Sequence, residues 1–310
     1  MNNAFCFKTL ADFLGHFKDE ETCKKHFTAI RFRDGEYCAH CGHKTVYSFS
    51  GGKRYRCAKC RQDFTIKTNT VFGDSKLTIK KWFIDIYLLT TTSKGISSVQ
   101  LAKHVGVTQK TAWFMDHRIR STLKQNNGQL FGTVEVDETF VGGKAKNMHA
   151  KKRREKITGT GGVNKTAVVG LLQRGGEVRA NVTEDVTTLS LEKQIVTHAK
   201  IGSQLYTDEA AAYSRISKIY PHEVVRHAKG DFKRDEAYTN SIESFWAIFK
   251  RGYHGVYHQM SRRHLQRSVD EFAYRFNHRG DDSQQVFSDV VEKASLSVKL
   301  PYKNLTHEAA

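Results

Sequence analysis

Apolar positions along the chain change period several times, and each change marks an element. In "LTIKKWFIDIYLL" (Leu77 to Leu89) the apolar residues recur at helical spacing. Two shorter helices follow in "SSVQLAKHVGV" and "TQKTAWFMDHRIRSTL", separated at Gly106, and residues 5–27 read as a short helical lead-in. After "NNGQ" (Asn126 to Gln129) the period drops to two. "GTVEVDETFVGG" alternates apolar and polar residues, and "KTAVVGLLQRGGEVRANVT" reads as two strands around Gly175 and Gly176. "TLSLEKQIVTHA" is helix-like, "SQLYTDEAAAY" a short strand running into a helix, and "HEVVRH" a further strand. Helices from about Asn240 and over "HLQRSVDEFAYRFNHR" complete the order β-β-β-α-β-α-β-α, a mixed sheet with helices on its faces. The last thirty or so residues read as a modest helix and a frayed tail. The boundaries predicted are 1–30 for the helical lead-in, 31–72 for a cysteine-bearing module, 73–125 for the helical region, 126–280 for the sheet domain and 281–310 for the C-terminal helix and tail.

Charge narrows the partner. Lys and Arg number 50 against 32 Asp and Glu in 310 residues, a formal net charge of +18, so the favoured partner is a polyanion. No stretch approaches the roughly 18 consecutive apolar residues that span a bilayer, and no secretory signal follows Met1. The expectation is a soluble, cytoplasmic, nucleoid-associated protein with no membrane partner.

Four of the six cysteines form two Cys-x-x-Cys pairs, Cys38/Cys41 and Cys57/Cys60, fifteen residues apart. Two such turns aim four thiolates at one zinc ion and leave no open position, the pattern of a structural site. "KTVYSFSGGKRYRC" between them reads as two strands around Gly51 and Gly52, the layout of a zinc ribbon. His40 and His43 are alternative ligands, weaker ones with four thiolates at hand. Lys53, Arg54, Tyr55, Arg56 and Arg61 suit phosphate contact or form a solvated charge run. Cys6 and Cys23 read as small buried thiols.

"SSVQLAKHVGVTQKTAWFMDHRIR" fits a helix-turn-helix. Leu101, Ala102 and Val105 share one face, Gly106 makes the turn, and Thr108 caps a second helix. Gln109, Lys110 and Trp113 then stand near the start of the helix that enters the major groove in this motif. A plain helical scaffold is the competing reading.

Three acids differ from the solvated charges elsewhere. Asp137 lies inside the strand "TVEVDETF", where an acid among β-formers needs a partner such as a metal, and Glu135 is two residues earlier on the same face. Asp208 closes "QLYTD", where N-capping is the plain alternative. Glu243 lies 35 residues beyond Asp208, in "TNSIESFWAIFKRGY". There Asn240 and Glu243 also have the spacing of a capping box, and Asn240, Glu243 and Lys250 share a face beside the apolar stripe of Ile242, Phe245, Trp246 and Phe249. Three carboxylates suit two divalent metals about 4 Å apart that act on a phosphodiester, and hard magnesium favours carboxylate oxygens. In that arrangement Asp137 bridges both metals, with Asp208 and Glu243 holding one each, and Lys250 reaches the DNA backbone. The basic run "GGKAKNMHAKKRREK", with Lys144, Lys151, Lys152, Arg153 and Arg154, is either a solvated loop or a DNA clamp. His227 reads as a structural histidine or an active-site neighbour.

The zinc ribbon, the helix-turn-helix and the segments "VDETFVGGK", "YTDEAAAY" and "TNSIESFWAIFKRGYHG" together resemble bacterial insertion-sequence DDE transposases over about residues 30 to 280. The resemblance implies a multidomain α+β chain with an RNase H-like catalytic domain. It also implies a DDE transposase that binds the terminal inverted repeats of its element in double-stranded DNA, cleaves at the ends and joins the freed 3′-hydroxyl to target DNA. Magnesium or manganese would serve catalysis and zinc the structure, with Asp137, Asp208 and Glu243 as the catalytic set. Asn240 is the alternative third member, because relatives of the family can use an asparagine there. Bringing two ends together implies a homo-oligomer, at least a dimer. The rival readings are a DNA-binding regulator and an RNase H-like nuclease without strand transfer.

Overall fold

The structure, a computed structural model, describes residues 7–125, 128–143, 147–156, 162, 164–208, 211–225 and 239–306. Two compact units divide the chain, one of residues 1–123 with 280–310, the other of residues 124–279. Among the described residues, no helix is long and apolar enough to cross a membrane.

The first unit begins with helices α1 (Leu10–His16) and α2 (Glu20–Arg31). An antiparallel three-stranded sheet follows, β1 (Val46–Phe49), β2 (Arg54–Cys57) and β3 (Asp63–Phe64). Then come α3 (Ile79–Thr91), α4 (Ser98–Val105) and α5 (Gln109–Arg120). Asp19, Thr78, Ser97 and Thr108 each accept a first-turn amide of the helix they precede, so side-chain oxygens replace water at these helix starts. Glu20 adds a cap from a distance, because its carboxylate accepts the Ile79 and Lys80 amides of α3 at 3.0 Å each. Gly106 ends α4 at φ +67°, a left-handed conformation that a side chain would strain.

The C-terminal segment contributes core, which was not evident from its sequence. Helix α10 (Ser283–Leu296) buries Val286, Phe287, Val290, Val291 and Ala294, and it packs on α2 and α3. Phe287 meets the rings of Phe7, Phe13, Phe17 and Phe83 at 5.2–5.5 Å, edge-on or tilted. A short α11 (Tyr302–Thr306) follows. Cys23 is buried here and its thiol is pushed up to about 12 by that burial; Cys6 lies outside the described residues.

The second unit is a five-stranded sheet. Its strands are β4 (Thr133–Val141), β5 (Thr166–Gln173), β6 (Val178–Thr183), β7 (Gln204–Thr207) and β8 (His222–Val224), in the order β6-β5-β4-β7-β8. β4, β5 and β6 run antiparallel in sequence, while β7 pairs parallel to β4 and β8 parallel to β7. Three meandering strands with two parallel strands added beyond the first are the topology of an RNase H-like domain, as the sequence predicts.

Strand alternation sorts the two cores. On one face Val141, Val168, Leu172 and Val178 pack with α8 (Asn240–Gly252) and α9 (Leu265–Asn277). On the other, Val134, Val136, Val169 and Leu171 pack with α7 (Thr188–His198) and with Tyr213 and Ile216. Gly170 permits the closest approach on the first face, where an added Cβ would lie 2.6 Å from the Trp246 ring and 3.0 Å from Ile242 Cδ1. Two elements differ from the sequence reading. The helix expected after Asp208 is two 3-10 turns, Ala211–Tyr213 and Ile216–Lys218. Part of the basic run after β4 forms α6 (Ala150–Lys156), which strong helix formers favour.

Candidate active site and metal centre

The four sulfur atoms of Cys38, Cys41, Cys57 and Cys60 lie within 4.8 Å of one another. Cys38 and Cys60 approach to 3.6 Å, as do Cys41 and Cys57. A zinc tetrahedron with Zn–S bonds near 2.3 Å sets sulfurs about 3.8 Å apart, so the cluster fits that ion. The His40 amide donates to Cys38 Sγ at 3.3 Å and the Cys60 amide to Cys57 Sγ at 3.4 Å, contacts that favour thiolates. The His40 ring instead meets the Asp63 carbonyl at 3.3 Å.

The ribbon's solvent face carries Arg54 and Arg56, each within 4 Å of Asp63. Arg54 also lies over the Phe49 ring at 5.1 Å. Tyr55 does not join them, since it is buried and stacked on Phe64. At the start of α5, Gln109 is exposed and donates to Ser98 Oγ at 2.9 Å. Lys110 is exposed and lies 5.0 Å over the Tyr302 ring. Trp113 is half-buried against His117.

In the second unit, sheet register brings the acids together. β4 and β7 pair Thr133 with Gln204, Val134 with Leu205 and Glu135 with Tyr206. Continued by two residues, this register sets Asp137 level with Asp208, just past the end of β7. Asp137 faces α8, because its cross-strand partner is Gly170, the residue against which Trp246 packs. Glu243, in the first turn of α8, accepts the Thr239 hydroxyl at 3.2 Å and is near enough to raise the Asp137 pKa. Burial first, then the charges of Glu138, Asp208 and Glu243, push the Asp137 carboxyl up to about 7. The charges that act on Asp137 are all carboxylates, from acids that sequence separates. Carboxylate oxygens are hard donors of the kind that divalent cations favour.

Asn240 is exposed as the first residue of α8, with Thr239 as N-cap. The capping box expected of Asn240 and Glu243 does not form. The Ser241 and Ile242 amides donate instead to Glu135 Oε2, at 3.0 and 2.9 Å. Glu135 does share the Asp137 face, as alternation requires, but it spends its carboxylate on the helix end and on Arg174 Nε at 2.8 Å. Lys250, two turns beyond Glu243, is exposed beside a cavity of about 130 Å³ that Lys165, His254 and Tyr253 also line.

Sequence reasoning passed over Glu138. It points to the opposite face of β4, where the Tyr213 hydroxyl donates to its Oε2 at 2.5 Å, and burial raises its pKa. Both halves of the pair lie in segments singled out for other residues, "VDETF" and "YTDEAAAY", and only the fold joins them. Lys151, Arg153 and Arg154 are exposed on α6. Lys144 and His227 lie outside the described residues, as does the side chain of Lys152.

Sequence relatives establish the class. Residues 129–277 match the ISXO2-like transposase domain, and residues 18–63 match the transposase zinc-ribbon domain. The protein is an insertion-sequence transposase with a DDE-type domain behind a zinc ribbon. Within that class its sheet domain is similar to the ISXO2-like transposases. A relative, "Uncharacterized protein in transposable element ISH50" of Halobacterium salinarum, is 26% identical over 247 residues, covering 76% of this chain and 83% of the relative. Solved structures with similarity include the Mos1 strand transfer complex, at 14% identity and TM-score 0.26 over 69% of this chain and 74% of that one. A pre-cleavage Mos1 transpososome matches at 12% identity and TM-score 0.18 over 68% and 78%. At such TM-scores the likeness is distant, and the family assignment rests on the sequence matches.

Proposed function

We propose that this transposase binds the terminal inverted repeats of its element and carries out cleavage and strand transfer with Asp137, Asp208 and Glu243 as its catalytic carboxylates. The observation that carries the reading is the β4–β7 register, which sets Asp137 level with Asp208 on the face where α8 presents Glu243. Divalent magnesium or manganese held there would neutralise the scissile phosphate and activate the attacking oxygen. Asp137, which burial and neighbouring acids raise to about 7, would hold such a cation as its carboxylate. The Thr239 hydroxyl donates to the Glu243 carboxylate. Glu243 is preferred over Asn240 as third member because its charge acts on Asp137 and a carboxylate is the stronger ligand for a hard cation.

The basic groups extend this reading to DNA. Lys250, with Lys165 and His254 around the same cavity and two turns along α8 from Glu243, would supply DNA backbone contacts. On this reading Arg54 and Arg56 would meet phosphates, Gln109, Lys110 and Trp113 would enter the groove, and Lys144, Lys151, Lys152, Arg153 and Arg154 would clamp DNA. Joining two ends requires at least a dimer in the synaptic complex.

The test uses zinc-loaded full-length protein, duplexes carrying the element's own ends and a target plasmid. With magnesium or manganese, wild-type protein should cut at the ends and join them to target DNA. Asp137→Asn should keep end binding and lose cleavage by about a thousand-fold or more, the scale of losing a principal catalytic group. Full cleavage by that variant would refute the assignment, and cleavage without joined products would leave a nuclease.

A further inference from the structure

We infer that Glu135 is a positioning residue, one that holds the helix bearing Glu243 at a set distance from Asp137 without touching substrate or metal. The inference rests on the proposed catalytic set. Glu135 is fully buried, and an ionised carboxylate persists there only when every strong partner is in place. Its partners are the Ser241 and Ile242 amides on Oε2 and the Arg174 guanidinium on Oε1. Those amides belong to the first turn of α8, whose N–H groups have no intrahelical acceptor and form the positive end of the helix dipole. Thr239, the N-cap residue, makes no side-chain cap bond, so a strand carboxylate does the capping.

Two further contacts make this a hub rather than an ordinary cap. Arg174 follows β5, and its amide donates to the Thr133 carbonyl of β4 at 3.0 Å. Its guanidinium lies 4.5 Å over the ring of Tyr206, the β7 residue paired with Glu135 and two positions before Asp208. Asp137 is two residues beyond Glu135 on the same strand face, and Glu243 one residue beyond Ile242 in the capped turn. Glu135 and Arg174 together therefore link the elements that carry all three acids. Shortening it by one methylene must either pull α8 toward the sheet or break the amide contacts. A displacement near 1 Å at a reacting centre costs about a hundred-fold in rate.

The decisive variants are Glu135→Asp and Arg174→Met in the full-length, zinc-loaded protein, compared at a temperature where circular dichroism shows both fully folded. Manganese binding is read by electron paramagnetic resonance without DNA, and cleavage is followed against metal concentration. Both variants should raise the manganese dissociation constant and the half-saturating metal concentration about tenfold or more, the scale of losing a residue that orients metal ligands. End binding should stay within about twofold. Equal loss of end binding and cleavage with an unchanged metal requirement would reduce Glu135 to a stability role and overturn the inference. Hydrogen exchange separates this from failure of the catalytic assignment. If wild-type manganese binding proves independent of Asp137, the catalytic reading falls, whereas unchanged exchange at the Ser241 and Ile242 amides in Glu135→Asp overturns the positioning role on its own.

Discussion

The zinc ribbon and the proposed carboxylate site would both hold metal, and they are built in opposite ways. All four cysteines come from two short turns, and each turn supplies a pair of sulfurs with its own amide contacts. The carboxylates come from a strand, the end of a second strand and the first turn of a helix, and only register and helix docking bring them together. The ribbon is assembled by local geometry around a metal, whereas the acid site is assembled by the fold and is held against its own charge repulsion. Metal should therefore matter to the folding of the first and chiefly to the chemistry of the second.

The largest expected effect probes the ribbon side of that contrast. Structural zinc contributes apparent binding free energies of about 10–16 kcal/mol in small zinc modules. A strong chelator, or Cys57→Ser, should unfold β1–β3 and abolish end binding. Circular dichroism and hydrogen exchange of residues 124–279 should change little, and concerted loss of both units would break the comparison.

A smaller effect is expected where α8 meets the sheet. Gly170→Ala places a methyl against Trp246 and Ile242, and overpacking of this kind costs about 1–3 kcal/mol. Chemical denaturation should show the loss in the second unit alone, with zinc content unchanged.

The smallest concerns pH. The Asp137 pKa in the folded protein, about 7, stands above its ordinary value of 3.8, so the folded state holds the proton more tightly than the unfolded chain does. Its contribution to stability is therefore full at acid pH and lost as pH rises from about 4 through about 7. Metal-free protein should melt higher at pH 5.5 than at pH 8, and Asp137→Asn should remove part of that difference, on the order of a few degrees in Tm. Saturating magnesium should narrow the gap too, because the cation takes the proton's place. An identical pH profile in the variant would show that Asp137 does not carry the repulsion.

These differences also explain what could be read from sequence. The zinc ligands were legible outright, since Cys-x-x-Cys is itself the local geometry. The succession of strands along the chain followed from alternation, and Gly106 and Thr108 marked the helix-turn-helix boundaries through backbone and capping chemistry. Glu135 was placed on the correct face, but its helix partners lie 106 and 107 residues away, and the adjacent Asn240 and Glu243 imitated a capping box. Glu138 was missed because alternation put it on the other face, and its partner Tyr213 lies in a segment that sequence suggested was helical. Phe287 gave no local sign that five aromatic rings would converge on one core.

The discontinuity of the first unit bears on biogenesis. The second unit occupies one unbroken stretch, so every residue of its sheet and acid cluster has been synthesised once the chain passes residue 279. The N-terminal unit, made first, still lacks α10 at that moment, and with it the Phe287 ring that its aromatic core surrounds. Domains usually mature in the order of their synthesis. In this chain the later domain is the first that can close its core.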